Sequence, residues 1–159
     1  MNITIISVGK IKEKFMRDAV AEYTKRLSKY CKLSFAEVSD KKAPENLSLK
    51  EEIQIKKSEG GDILKKIKET QYVIVLDIEG KQLTSEELSR KIDSLALSGK
   101  SDLAFVIGGS LGLSQAVLNR ADFKLSFSKM TFPHQLMKVI LLEQIYSRLS
   151  IRKNEPYHK

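Results

Sequence analysis

Five short apolar segments, each followed by a stretch of helical periodicity, limit the folds open to this 159-residue chain. Asn2–Val8 is rich in isoleucine and valine and reads as a buried parallel strand. From Lys14 to Tyr30 the apolar residues Phe15, Ala19, Val20, Tyr23, Leu27 and Tyr30 recur at helical spacing. Leu33–Val38 alternates as a second strand, 40–44 is a loop, and a Lys/Glu-rich helical stretch spans about 45–68, with Gly60-Gly61 expected to break it. Tyr72–Leu76 is the strongest buried strand and ends at Asp77-Ile78-Glu79-Gly80. Thr84 and Glu87 have the spacing of a capping box for a helix to about Ser98, which Gly99 would stop. Asp102–Ile107 is the fourth strand, 114–120 a short helix and Phe123–Phe127 the last strand; Pro133 suits the first turn of a final helix over 133–150. Strict β-α alternation predicts an α/β fold, a parallel sheet with helices on both faces. No repeat or linker divides it, so one domain over 1–159 is expected.

The segment Phe105-Val106-Ile107-Gly108-Gly109-Ser110-Leu111-Gly112-Leu113-Ser114 runs from a strand into three glycines and then a helix-capping serine. Strand-to-loop junctions of α/β sheets are where ligands bind, and glycine lets the backbone approach them closely. The loop is no P-loop, because no Gly-Lys-Ser/Thr follows, and it lacks the G-x-G-x-x-G spacing of a dinucleotide fingerprint. No metal-ligand spacing is present, and the two histidines give no Ser/His/Asp order, so metal and hydrolytic chemistries are disfavoured and no metal is expected. A structural turn and a cofactor loop both fit the glycines taken alone.

The formal charge of +8 is concentrated. Residues 10–32 carry eight Lys/Arg against Glu13, Asp18 and Glu22, and residues 120–159 carry eight against Asp122, Glu143 and Glu155, whereas 41–69 is nearly balanced. Such ends suit a polyanion such as RNA, or else form an ordinary basic surface. Aromatic residues are too sparse there for a single-strand stacking platform. No apolar run reaches the roughly 20 residues of a membrane span, and Lys10 cuts short the apolar start, which therefore reads as a strand and not a signal peptide. With Cys31 as the single cysteine, no internal disulfide can form, and a cytoplasmic protein with an inert thiol is expected. In the final helix nine of the fourteen residues 136–149 are apolar, more than one docking stripe requires. The surplus face predicts a homodimer through 133–150.

Three strand ends now align: Leu76-Asp77-Ile78-Glu79-Gly80-Lys81, Ile107-Gly108-Gly109 and Phe127-Ser128-Lys129-Met130-Thr131-Phe132-Pro133-His134. With Val8-Gly9-Lys10 at the start and Asn154-Glu155-Pro156-Tyr157-His158 at the end, the chain resembles over its full length the SPOUT class of S-adenosylmethionine-dependent RNA methyltransferases. It is most similar to the small bacterial members that methylate N3 of a pseudouridine in 23S ribosomal RNA. The resemblance implies a C-terminal trefoil knot over about 70–159. It implies that Leu76, Gly108, Phe127, Ser128, Lys129, Met130, Thr131 and Phe132 hold S-adenosylmethionine, an adenine slot of apolar side chains beside backbone donors and acceptors. It also implies that Tyr157 and His158 fold over the pocket, that of the partner subunit, as catalytic residues.

On this reading the protein's main task is to aim an electrophilic methyl at a base nitrogen. The N3 imide must lose a proton, and His158, with an ordinary pKa near ~6.5, either accepts it or only orients the base. Arg152, Lys153 and the basic N-terminal helix would contact RNA phosphates of 23S rRNA in the ribosome. Asp77 reads as a turn residue. His134, at a helix start where the dipole disfavours a cationic ring, reads as structural or loop-ordering. Two other functions stay open: a ribosome-binding protein without catalysis, and a nicotinamide-dependent oxidoreductase, which the glycine spacing disfavours.

Overall fold

The computed structural model describes residues 1–41 and 44–152. Its elements run β1 (Asn2–Val8), α1 (Lys14–Leu27), β2 (Lys32–Val38), α2 (Leu49–Lys66), β3 (Tyr72–Gln82), α3 (Ser85–Leu97), β4 (Asp102–Ile107), α4 (Gln115–Arg120), β5 (Phe123–Ser126) and α5 (His134–Arg152). The strands form one sheet in the order β2-β1-β4-β3-β5, and every pairing is parallel. This is the expected α/β architecture. β1, β3 and β4 are apolar on both sides because the sheet is covered on both sides.

Side chains alternate between two cores. On one face Ile3, Ile5, Ile74, Leu76, Leu103, Phe105 and Ile107 meet α1, α3 and α5 through Leu27, Leu88, Ile92, Leu95, Leu141, Leu142, Ile145 and Leu149. On the other, Ile6, Val8, Val73, Val75, Ala104 and Val106 meet α2 and α4 through Ile63 and Val117. Each such Ile, Leu, Val or Phe side chain contributes roughly 1.5–3 kcal/mol by leaving water. Helix starts are set by local chemistry: Thr84 and Glu87 form the expected capping box on α3, and Ser48 and Glu51 form a second on α2. α5 is tied to α1 and the turn after it by Tyr146 against Tyr23 and Tyr30, with Arg26 over the Tyr23 and Tyr146 rings. It is tied to α3 by the Arg148–Asp93 ion pair.

Three sequence expectations are corrected. Gly60-Gly61 does not break α2, which runs unbroken from Leu49 to Lys66. Gly60 is instead a crossing point: a Cβ there would lie 2.2 Å from Ser114 Oγ and 3.3 Å from Val117 Cγ2, so α2 packs on α4 only without a side chain. β3 does not end at Leu76. After Leu76 pairs with Leu125, Asp77–Gly80 loop out and Lys81 and Gln82 rejoin β5 opposite Leu125 and Ser126. Gly80 permits that return, since a Cβ would sit 2.7 Å from the Lys124 carbonyl oxygen. α1 stops at Leu27, three residues short of the apolar pattern, and Tyr30 packs against the core from the turn that follows. In α5, Leu141, Leu142, Ile145, Tyr146 and Leu149 are buried within the chain, while Leu136, Met137, Val139 and Ile140 are half-buried.

The two glycines should therefore respond oppositely. Gly60→Ala forces Ser114 aside and should cost about 1–3 kcal/mol of unfolding free energy. Gly61→Ala, whose Cβ would meet nothing within 4 Å, should be neutral or stabilise by about 0.5–1 kcal/mol. Urea melts of the two variants check this, and equal behaviour would contradict the packing described.

Candidate functional site

The parallel register sets three strand ends side by side. Leu76 pairs with Ile107 on β4 and with Leu125 on β5, so the three form one row across the sheet. Beyond that row each strand opens into a loop: the 77–80 bulge, the glycine loop 108–113 and the segment 127–133. Together they enclose a cavity of about 650 Å³. That volume is in the range of small-molecule sites, and its position beyond the carboxyl ends of parallel strands is where α/β sheets bind ligands.

Leu76, Ile107, Leu125, Met130, Phe132 and Met137 give the cavity apolar walls. Polar groups come from Asp77, Ser110, Ser126, Ser128, Thr131 and His134. The loops are shaped by their own short-range bonds. Gly109 and Gly112 form a bridge, with Gly112 N–H donating to the Gly109 carbonyl at 3.1 Å, which folds the glycine loop back on itself. Ser114 ends it by capping α4, its Oγ accepting from Val117 N–H. Ser126 Oγ donates to the Ser128 carbonyl at 3.0 Å, and Ser128 Oγ accepts from Met130 N–H at 3.0 Å, which turns the third loop. Asp77 Oδ1 accepts from Glu79 N–H at 3.2 Å, the turn role its sequence suggested. Gly108 makes room for its own loop: a Cβ would stand 2.9 Å from Leu113 Cδ2.

A buried carboxyl lies behind the glycine loop. Glu59 of α2 is only 4% exposed, and its Oε2 accepts from Lys41 N–H at 3.0 Å. Its Oε1 lies 3.5 Å from where a Gly109 side chain would begin. Burial pushes the Glu59 carboxyl above the ordinary glutamate value; the Lys41 N–H opposes this, and the charge and hydrogen bond of Asp40 add to it.

Of the residues expected to hold a cofactor, Leu76, Gly108, Phe127, Ser128, Met130, Thr131 and Phe132 all line this cavity. Lys129 lies in the same segment, but it is not among the residues that line it. Arg152 ends α5, whereas Lys153, Tyr157 and His158 lie outside the described residues. His134, read from sequence as a loop-ordering residue, lines the cavity, as does Asp77. Sequence reasoning passed over Asp40 and Glu59 entirely. In a stretch of mixed lysines and acids nothing marks one glutamate as buried, and only its place beside Gly60, at the helix crossing, would have signalled it.

This architecture defines an α/β protein with a cavity of small-molecule size at the C-terminal strand ends. Residues 1–158 match the family model described as "Predicted SPOUT methyltransferase". Similar proteins include "Ribosomal RNA large subunit methyltransferase H" of Clostridium botulinum strain Hall, 64% identical over all 159 residues of both chains. Proteins of the same description from Clostridium novyi strain NT and Clostridium perfringens strain 13 are 62% and 59% identical, again over the whole of each chain. The chain belongs to the SPOUT methyltransferase family.

A raised carboxyl means the folded state binds more protons than the unfolded one, so stability falls as pH rises from the ordinary glutamate range through the raised value. Glu59→Gln mimics the protonated form and can still accept from Lys41 N–H. Its melting temperature should lose that decline, measured by thermal melts from acid to neutral pH. An unchanged pH slope would show that Glu59 is not the group responsible.

Proposed function

We propose that this protein transfers a methyl group from S-adenosylmethionine to N3 of a pseudouridine in 23S rRNA of the large ribosomal subunit. The observation that carries the reading is the single cavity into which seven of the eight expected cofactor residues converge, in a chain whose relatives are named for methylation of large-subunit ribosomal RNA. Apolar walls at Leu76, Met130 and Phe132 suit an adenine ring. The fit of the donor rests on these residues: Ser126, Ser128, Thr131 and the backbone of the glycine loop offer hydrogen bonds for its polar groups. The donor supplies an electrophilic methyl, and the protein aligns that methyl with the base.

In this reading 1–159 is one SPOUT domain, with the C-terminal part from about residue 70 threaded as a trefoil knot. The half-buried apolar residues Leu136, Met137, Val139 and Ile140 of α5 support pairing with a second copy. The basic N-terminal helix, Arg152 and Lys153 approach RNA phosphates, and Tyr157 and His158 act at the reacting base. Among the described residues no helix is long and apolar enough to cross a membrane, and the reaction on ribosomal RNA belongs in the cytoplasm.

Nucleoside mass mapping of 23S rRNA with and without the gene is the direct test: one N3-methylpseudouridine should vanish in its absence, and full methylation there would reject the reading. Gly108→Ala, which drives a methyl against Leu113, should weaken donor binding about tenfold or more by calorimetry. His158→Ala and a chain ending at Asn154 should both lose turnover on ribosomes. Wild-type rates for both would remove the tail from the mechanism.

A further inference from the structure

We propose that His134, held across Gly9 from the Asp40–Glu59 carboxyl pair, is the proton acceptor for the reacting base. The inference rests on the reading of the cavity as a methyl-transfer site. Methylating an imide nitrogen releases a proton that needs a destination. Among the described residues that line the cavity, Asp77 and His134 carry the side chains able to take up a proton, and Asp77 already spends Oδ1 on the Glu79 turn.

The turn after β1, the loop after β2 and the start of α5 come together beside the ring. Gly9 follows β1 with φ +83°, a left-handed conformation that favours glycine. The point where its side chain would begin lies 3.9 Å from His134 Nε2 and 3.8 Å from Asp40 Oδ2, so the absent side chain leaves ring and carboxylate facing the same gap. Two hydrogen bonds tie the sides: Gly9 N–H donates to the Val38 carbonyl at 2.8 Å, and the Gln135 side-chain Nε2 donates to the Lys10 carbonyl at 3.3 Å. Behind Asp40, buried Glu59 hydrogen-bonds its carboxyl and is itself held by Lys41 N–H. Asp40 and Glu59 are positioning residues, acting through the histidine. A carboxylate on the Nε2 side favours the tautomer with the proton on Nε2, which leaves the lone pair on the other ring nitrogen.

In the step, the N3 proton passes to that ring nitrogen. The N3 electron pair forms the bond to the methyl carbon as the sulfur–methyl bond breaks, and the electrons of that bond return to sulfur. Sulfonium, neutral imide and neutral imidazole become thioether, N-methyl imide and imidazolium. The ring must be neutral at the outset, so turnover falls at acid pH. The charged residues on the elements that meet at the ring are Lys10 after β1, Asp40 and Lys41 after β2, Glu59 on α2, Asp77 across the cavity, and Lys138 one turn along α5.

The test combines pH–rate profiles on ribosomes, calorimetry with S-adenosylmethionine, and NMR titration of the His134 ring. His134→Gln should lower kcat by about 100-fold or more and remove the acid limb, with donor affinity kept within about threefold. Asp40→Asn should move the acid limb and the ring titration together to lower pH, with KM for the donor unchanged; a merely structural Asp40 would move neither. Two results would overturn the proposal: an acid limb that persists in His134→Gln, or loss of donor binding in His134→Gln. Failure of the wild-type protein to bind donor at all would reject the methyl-transfer reading itself, a different outcome from any of these.

Discussion

The site depends on one alignment: Leu76, Ile107 and Leu125 sit in register across three neighbouring parallel strands. Parallel pairing brings the carboxyl ends of β4, β3 and β5 to the same edge, so three loops distant in sequence must share one space. Hydrogen bonding of the strands fixes that edge, and burial on both faces holds it. A one-residue slip of β3 would exchange Ile74 and Leu76 with Val73 and Val75 between the two cores, and both faces would lose their packing. The cavity is therefore as well determined as the sheet.

The cavity loops are in turn clamped from the outer layers. α2 touches the glycine loop twice, through Gly60 against Ser114 and through Glu59 beneath Gly109. α5 starts in the cavity wall with His134 and continues into the core with Leu141 and Leu142, so the third loop is anchored by a helix whose far end binds α1 and α3. A close helix crossing of this kind ties the packing of α2 on α4 to the shape of the cavity loop, because the residue that caps α4 also ends the loop that lines the cavity.

Much of this was legible in the chain. β-branched runs at 2–8, 72–76 and 102–107 announce buried parallel strands, and Thr84 with Glu87 marks a helix start, because both signals are local and set by backbone chemistry. The family resemblance, carried in part by the three strand ends, implied Leu76, Gly108 and 127–132 as cofactor residues. What failed was longer in range. Gly60-Gly61 reads as a break by propensity, yet tertiary contact with α4 decides its use. Asp77–Gly80 reads as a strand end, yet β5 lies alongside and pairs again beyond it. Asp40 and Glu59 carry no periodic signal, since a buried glutamate in a charged stretch is indistinguishable from a solvated one.

The sequence alone determined the alternation of strands and helices and the two-sided burial of the sheet, because both rest on residue type at short spacing, and it carried the family resemblance in motifs spread from Val8 to His158. Only the tertiary structure decided that the strands run in the order β2-β1-β4-β3-β5, that the 77–80 bulge opens into the cavity, and that Asp40, Gly9 and His134 face one another. Those facts join residues up to 125 positions apart, and only the folded sheet, by choosing which strands are neighbours, brings such residues within reach.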